Sequence, residues 1–238
     1  YHYACKIINE MDVLENMAAR GMTRWIRISM NPSSWLANQF VDFYNQTYEK
    51  NYHFQVTTAG VRSVMERVRD YLDDIGFVYI FSQQKENFLH ELAKNKMQFV
   101  PMYETEVIFY PGQKTELYAS EKESVEPEEL KGLRFIQNYQ DEFFDIGAAG
   151  EDGFQWRDLD ISVLTNSDYI MEKMLKNSRA SNVSGSYLSE NKKGTTPGIP
   201  LHMGDSRVIF GYILHRGEKI DESVQEFLDF LMERLPKS

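Results

Sequence analysis

Residues 74–81 read Asp-Ile-Gly-Phe-Val-Tyr-Ile-Phe, a continuous apolar run behind a single carboxylate. An unbroken apolar run of this length is typical of a strand that is buried on both faces of a parallel sheet. Two further strand candidates, residues 25–30 and 54–58, precede it, and each is followed by an amphipathic helix pattern. Strands and helices in alternation predict right-handed βαβ units, with helices on both faces of one sheet. The first half of the chain is therefore predicted to form an α/β domain.

The composition limits the class of protein. The chain has 238 residues and a formal net charge of −10, with 42% hydrophobic and 26% charged residues. These values are ordinary for a folded domain, and the length is sufficient to bury a core. The acidic charge argues against nucleic-acid binding by these residues themselves, because phosphate binding depends on Lys and Arg. The single cysteine, Cys5, excludes an intrachain disulfide, and no apolar run reaches the roughly 18 residues of a membrane span.

The two ends of the chain carry helical patterns. An apolar stripe at alternating spacings of three and four ends at Gly21 and consists of Ala4, Ile7, Met11, Leu14 and Ala18. Such a short stripe fits a helix that packs on the domain and equally the end of a dimerising helix, and both interpretations stay open. The last helix has its apolar face at Val224, Phe227, Leu228 and Leu231, which predicts that it completes the first domain.

The middle of the chain predicts a second α/β unit. Residues 161–164 and 207–214 are strand candidates, and Ser167 can cap a helix that follows the first of them. Residues 178–206 are rich in Ser, Asn, Gly and Thr and are predicted to be mostly loop.

Motifs for catalysis and metal binding are missing from the sequence. No two of the five histidines lie three or four residues apart, and there is no G-x-S-x-G elbow, Walker loop or G-x-G-x-x-G segment. We therefore expect no enzyme activity, no metal and no cofactor.

Small polar residues follow three of the predicted strands, at residues 31–34, 57–60 and 165–167. Ligands of open α/β sheets bind beyond the carboxyl ends of the strands, where helix N-termini favour anions. Each segment could instead be an ordinary helix cap, worth about 1 kcal/mol. Their shared position at strand ends is what favours a ligand site.

Several segments together resemble the effector-binding domain of LysR-type transcriptional regulators. They are residues 7–15, 25–28, 33–36, 61–77 and 224–231, and the resemblance spans about residues 3–235. The second lobe departs from the family pattern: Thr115-Glu116-Leu117-Tyr118-Ala119 stands where a His-Pro-Leu-Ala turn is common, and Ser184-Gly185-Ser186-Tyr187 is a poor match to a Gly-x-Gly segment.

The resemblance implies a two-lobed, type 2 periplasmic-binding-protein-like α/β fold. Residues 1–21 would be the end of a linker and dimerisation helix, residues 22–104 with 210–238 the first lobe, and residues 105–209 the second lobe. It also implies a cytoplasmic homodimer, with a tetramer as an option at full length. DNA would be bound only through an N-terminal winged helix-turn-helix that is absent from this sequence. A small effector would bind between the lobes, and no membrane partner is implied.

The resemblance also assigns effector contacts by position. Ser33 and Ser34 match first-lobe contacts, and Gly60 and Val61 match the second corner, where relatives often carry Thr. Val61 cannot donate a side-chain hydrogen bond. With the strand-end residues and the expected crossover, the predicted effector-binding residues are Ser33, Ser34, Thr58, Gly60, Val61, Tyr103, Thr105, Thr165, Asn166 and Ser167.

Two helix N-termini favour a small polar or anionic effector, whereas an inward-pointing Glu104 would suit an amine or an amino acid. A solute-binding protein of a transporter has the same fold and is the alternative. The N-terminal stripe favours the regulator, and the residues upstream would decide between a helix-turn-helix and a signal peptide.

Overall fold

The computed structural model describes residues 11, 24–138, 159–185, 198–202 and 207–235. Met11 is helical and exposed, and the rest of the predicted N-terminal helix, with Cys5, lies outside the described residues.

The described elements alternate between strand and helix through the first half of the chain, as the sequence predicts. The strands are β1 Arg24–Met30, β2 Tyr52–Thr58, β3 Ile75–Phe81, β4 Met97–Tyr110, β5 Arg134–Asn138, β6 Asp160–Thr165, β7 Asn182–Gly185, β8 Ile199–Pro200 and β9 Arg207–His215. The helices are α1 Ser34–Gln46, α2 Val61–Arg69, α3 Lys85–Lys94, α4 Asp168–Asn177 and α5 Glu222–Met232. Short 3₁₀ turns occur at Tyr48–Lys50, Ser82–Gln84, Glu116–Ala119 and Pro127–Leu130.

The fold divides into two compact units. Unit 1 contains the described residues of Tyr1–Val78, Asn87–Met102 and Gly211–Ser238, and unit 2 contains those of Tyr79–Glu86 and Tyr103–Phe210. Strands β3, β4 and β9 each contribute residues to both units.

Unit 1 is built on a parallel core of three strands. Strand β1 pairs in parallel with β2 on one side and with β3 on the other, and the strand order continues from β3 to β9 and β4. Ring contacts join α1 to α5 in its core: Phe43 lies 4.9 Å from Phe227 and 5.2 Å from Phe230 between ring centroids. All four predicted apolar positions of α5 are buried, so this helix completes unit 1 as predicted.

Helix α2 packs directly on the backbone of β3. A Cβ atom on Gly76 would lie 2.5 Å from Cγ1 of Val64 and 2.9 Å from Cγ2 of Val68. Only glycine permits this approach without a shift of the helix. The contact therefore fixes α2 against β3, the strand whose apolar run predicts the α/β fold.

Unit 2 contains a second set of parallel strand ends. Strands β5 and β6 pair in parallel, and Ser181, directly before β7, bridges in parallel to Phe135 of β5. Strand β7 then pairs antiparallel with β4. Strands β5, β6 and β7 therefore run in the same direction, and their carboxyl ends point the same way.

The prediction of loop over residues 178–206 is wrong at β7, and β8 is also extended. Ser, Asn and Gly are poor strand formers, but backbone pairing with β4 and burial of Val183 override that preference. Leu72, which continues the apolar spacing of Val61, Val64, Met65 and Val68, lies beyond the end of α2 and is exposed. None of the helices in the described part of the chain is long and apolar enough to cross a membrane.

We predict that Gly76→Ala lowers the free energy of unfolding by roughly 1–3 kcal/mol, because the added methyl group overlaps Val64 and Val68. Urea unfolding would measure the loss. The control is Glu66→Ala, at an exposed position of the same helix, which should change stability by less than about 0.5 kcal/mol. Equal effects of the two substitutions would contradict the close-packed contact.

Candidate functional site

The first predicted corner is the N-terminus of α1. Ser33 is its N-cap, and its Oγ accepts a hydrogen bond from the Leu36 N–H at 3.2 Å. Ser34 is the first helical residue and is exposed. The cap is therefore present as predicted, and the hydroxyl of Ser34 is left on the surface at the positive end of the helix.

Asn31 joins this corner to the neighbouring strands. It is 4% exposed, its N–H donates to the Phe77 carbonyl at 2.9 Å, and its side-chain amide donates to the Ala59 carbonyl at 2.9 Å. The residue after β1 is thus bonded to β3 and to the segment that follows β2. These bonds place the start of α1 beside the start of α2.

The second predicted corner is the N-terminus of α2. Gly60 is the N-cap and has no side chain to cap the helix, and Thr58 ends β2 with its side chain exposed. Met30 and Thr58 are register partners, so the two corners occupy adjacent strand ends. Val61 is fully buried, so its side chain belongs to the core and only its backbone lies at the corner. The structure thus brings Ser33, Ser34, Thr58 and Gly60 together in unit 1.

The predicted corner of unit 2 follows β6. Ser167 caps α4, with its Oγ 3.4 Å from the Ile170 N–H, and its own N–H donates to Thr165 Oγ1 at 3.1 Å. Thr165 is buried and Asn166 is exposed. The two hydroxyls are used to build the turn, which leaves the Asn166 side chain as the exposed polar group of this corner.

The residues on β4 differ in accessibility. Thr105 is buried, and its hydroxyl donates to the Glu106 carbonyl at 2.7 Å. Its Oγ1 lies 3.5 Å from a Cβ built on Gly185, so the structure places it next to the end of β7. Tyr103 is half-buried, and Glu104 between them is exposed.

Gln137, near the end of β5, is a candidate that the sequence reading missed. Asn182 donates its amide to the Ile136 carbonyl at 2.8 Å and to Gln137 Oε1 at 3.1 Å. Because the Ile136 carbonyl can only accept, the Asn182 group facing it is the NH₂, and the Gln137 atom beside that NH₂ is an oxygen. The Gln137 NH₂ group is then left buried, with no hydrogen-bond partner in the part of the chain that the structure describes.

An unpartnered buried amide donor is costly and indicates a missing acceptor. Residue 137 pairs with Leu164 and residue 138 with Thr165, so Gln137 lies one position before the strand end that carries the Thr165 corner. The sequence signal for it is weak, since Gln at the end of a short strand is common on protein surfaces.

The charge at the unit 2 corner is set by Asp168, the first residue of α4. Burial, together with the smaller effect of the neighbouring Glu172 carboxylate, raises the pKa of this carboxyl to about 6. Near neutral pH the corner thus carries a carboxylate that is close to taking up a proton. No group of three or more His, Cys, Asp or Glu side chains able to hold a metal ion occurs within the described residues.

The described residues at these corners present hydrogen-bonding groups and helix ends. Each unit presents a helix N-terminus at a strand end, and unit 2 adds the Gln137 donor. Such groups suit a hydrogen-bond acceptor, and the helix ends favour one with negative charge.

Solved structures with a similar fold include effector-binding domains of LysR-family regulators. The domain of QuiR in complex with shikimate has a TM-score of 0.61 at 10% identity, over 89% of this chain and 96% of that one. The chain has the fold of the LysR-type effector-binding domain.

Two further structures match over nearly the whole chain. The regulatory domain of CcmR from Synechocystis PCC6803, in complex with 2-PG, has a TM-score of 0.62 at 11% identity, over 90% of this chain and 99% of that one. Full-length CbnR complexed with its target DNA has a TM-score of 0.59 at 12% identity, over 98% of this chain and 75% of that one. No protein-family model matches the sequence, and no curated protein sequence matches it.

We predict that Asp168→Asn stabilises the protein at pH 7.5 by on the order of 1–2 kcal/mol, since the charged, half-buried carboxylate is removed. The folded-state pKa is raised from 3.8 to about 6, so the folded protein binds more protons between these values. Wild-type stability should fall as the pH rises through this window, and the two proteins should converge below about pH 4. Thermal unfolding from pH 4 to 8 checks this, with exposed Asp42→Asn as the control. A difference that does not depend on pH would contradict the assignment.

Proposed function

We propose that the chain is the ligand-sensing regulatory domain of a LysR-type transcriptional regulator. In this proposal the domain binds a small polar or anionic effector, and the bound effector controls DNA binding by a winged helix-turn-helix upstream. The observation that carries the proposal is the unpartnered amide of Gln137 beside a helix N-terminus, in a chain with the effector-domain fold.

The proposed effector presents an acceptor such as a carboxylate or a phosphate. The oriented NH₂ group of Gln137 can only donate, and helix N-termini add roughly 0.3–1 kcal/mol each in favour of an anion. That QuiR was solved with shikimate and CcmR with 2-PG supports a small-molecule ligand for this fold. The carboxyl of Asp168 opposes an anion when ionised, so we expect acceptor ligands to bind more tightly below about pH 6.

Sensing of this kind requires binding and no chemistry, so we propose no enzymatic activity and no cofactor. DNA would be contacted by the upstream domain, which is consistent with the net charge of −10 in this chain. A DNA-bound regulator acts in the cytoplasm, and that is the location we propose.

We further propose that the domain forms a homodimer through α1 and the edge strand β2. Strand β2 is at one end of the sheet order, and Val56 on it is exposed. Three large apolar side chains of α1 and the turn that follows it are also exposed, namely Val41, Tyr44 and Tyr48. The Tyr44 ring lies 6.2 Å from the Phe54 ring and 6.1 Å from the Tyr48 ring between centroids, so aromatic side chains of α1 and β2 meet on this side of unit 1. Exposed apolar side chains of this kind favour contact with a protein partner. We propose a second copy of the chain as that partner, because the predicted linker helix at residues 1–21 would also pair with a second copy.

Variants at the site test the effector proposal. A panel of small carboxylates that includes shikimate, with the matching amides as controls, would be assayed by thermal shift and then by calorimetry. We expect Gln137→Leu to weaken binding of an active carboxylate about 10- to 100-fold, as for loss of a hydrogen bond to a charged group. Ser34→Ala and Asn166→Ala should each weaken it several-fold.

The matched control is Gln113→Leu, at an exposed position of unit 2, which should leave the affinity unchanged. Unchanged binding in all three site variants, or a panel in which no carboxylate binds, would contradict the proposed effector site.

For the dimer, we predict that Tyr44→Glu weakens self-association at least tenfold, because it places a charge in the apolar surface. Sedimentation over a wide concentration range would measure this. Tyr169→Glu, at a more exposed tyrosine of unit 2, is the control. A wild-type chain that stays monomeric at high concentration would show that this surface does not mediate a dimer.

A further inference from the structure

Asp168 places a half-buried carboxylate at the unit 2 corner, as the first residue of α4. Within the described residues, this carboxylate accepts no hydrogen bond and forms no ion pair. The two influences on its pKa, burial first and then the neighbouring Glu172 carboxylate, both disfavour the charge. A carboxylate that is withdrawn from water without a partner is costly, so the corner calls for a donor or a cation at Asp168.

The two lysines of α4 interact elsewhere. Lys176 pairs with Glu172, and the Lys173 ammonium lies 5.4 Å from the centroid of the Tyr169 ring. The N-terminus of the helix offsets part of the charge on Asp168, because its partial positive charge favours an anion. A full counter-charge is not supplied by the described part of the chain.

Gln137 has the opposite requirement. Its NH₂ group is buried and has no acceptor among the described residues, and the contact with Asn182 fixes which way the amide points. An NH₂ group can only donate, whereas an ionised carboxylate can only accept. The corner therefore holds one donor that lacks an acceptor and one acceptor that lacks a donor.

Both groups lie at the same edge of unit 2. The residue after Gln137 pairs with Thr165 at the end of β6, and α4 begins three residues after Thr165. Asp168 shares a side of α4 with Met171, which packs in one cluster with Ile136 of β5. Because neighbouring strands are only about 4.8 Å apart, one small ligand at this edge can contact both groups.

We propose that the effector is an amino acid in its zwitterionic form, with its carboxylate bonded to the Gln137 amide and its α-ammonium bonded to the Asp168 carboxylate. This inference rests on the proposed function and names the class of ligand. A plain carboxylate would satisfy Gln137 alone and would bring a like charge towards Asp168. A plain amine would satisfy Asp168 alone.

Three series of acids that differ only at the α-carbon test this assignment. They are propionate, lactate and alanine; succinate, malate and aspartate; and 3-phenylpropionate, 3-phenyllactate and phenylalanine. Calorimetry would be done at pH 7.5, where Asp168 is ionised because its pKa is about 6. In a series that binds, we expect the amino acid to bind about 10- to 100-fold more tightly than the plain acid, with the hydroxy acid between them.

Asp168→Asn should reverse this preference, because it removes the partner of the ammonium and the charge that repels an anion. We expect the amino acid to bind at least tenfold more weakly and the plain acid to bind at least as tightly as before. Gln137→Leu should weaken all members of a series by a similar factor, since they share the carboxylate. The control Glu121→Gln, at an exposed carboxylate of unit 2, should change none of these affinities.

A plain acid that binds the wild type as tightly as its amino acid would overturn the inference. A preference for the amino acid that survives in Asp168→Asn would also overturn it. In both cases carboxylates still bind, so the proposed function would stand. If none of the nine compounds binds, the proposed carboxylate site is contradicted together with this inference.

Discussion

The two hydrogen bonds of Asn31 are the constraint on which the unit 1 corner depends. One residue ties the end of β1 to the Phe77 carbonyl of β3 and to the Ala59 carbonyl behind β2. Three parallel strands are thereby held in one register at their carboxyl ends, and the helices that follow begin side by side. The buried side-chain amide is stabilising because it is bonded to Ala59, whereas an apolar side chain there would leave the Ala59 carbonyl without this partner.

In unit 2, a hydrogen bond that is not made distinguishes Gln137. The Gln137 amide is buried like that of Asn31, but its donor side has no partner among the described residues. Asn182 fixes its orientation, so the donor cannot be satisfied by a flip of the side chain. A ligand that offers an acceptor would satisfy this donor, and this is why we propose Gln137 as an effector contact.

Much of the fold could be predicted from the sequence because periodicity and caps are local. The apolar run of β3, the caps Ser33 and Ser167, and the face of α5 all follow from patterns within a few residues. Strand β7 could not be predicted, because its Ser-Asn-Gly composition indicates loop and only pairing with β4 makes it a strand. Gln137 could not be predicted for the same reason, since its proposed role depends on Asn182, which is distant in the sequence.

Sequencing the coding region upstream of Tyr1 tests the central claim most directly, since a regulator and a transport protein share this fold and differ there. Our account predicts an in-frame winged helix-turn-helix, followed by a linker helix that continues into the stripe of residues 4–18. A signal peptide, or an upstream segment without a helix-turn-helix, would contradict a LysR-type regulatory domain.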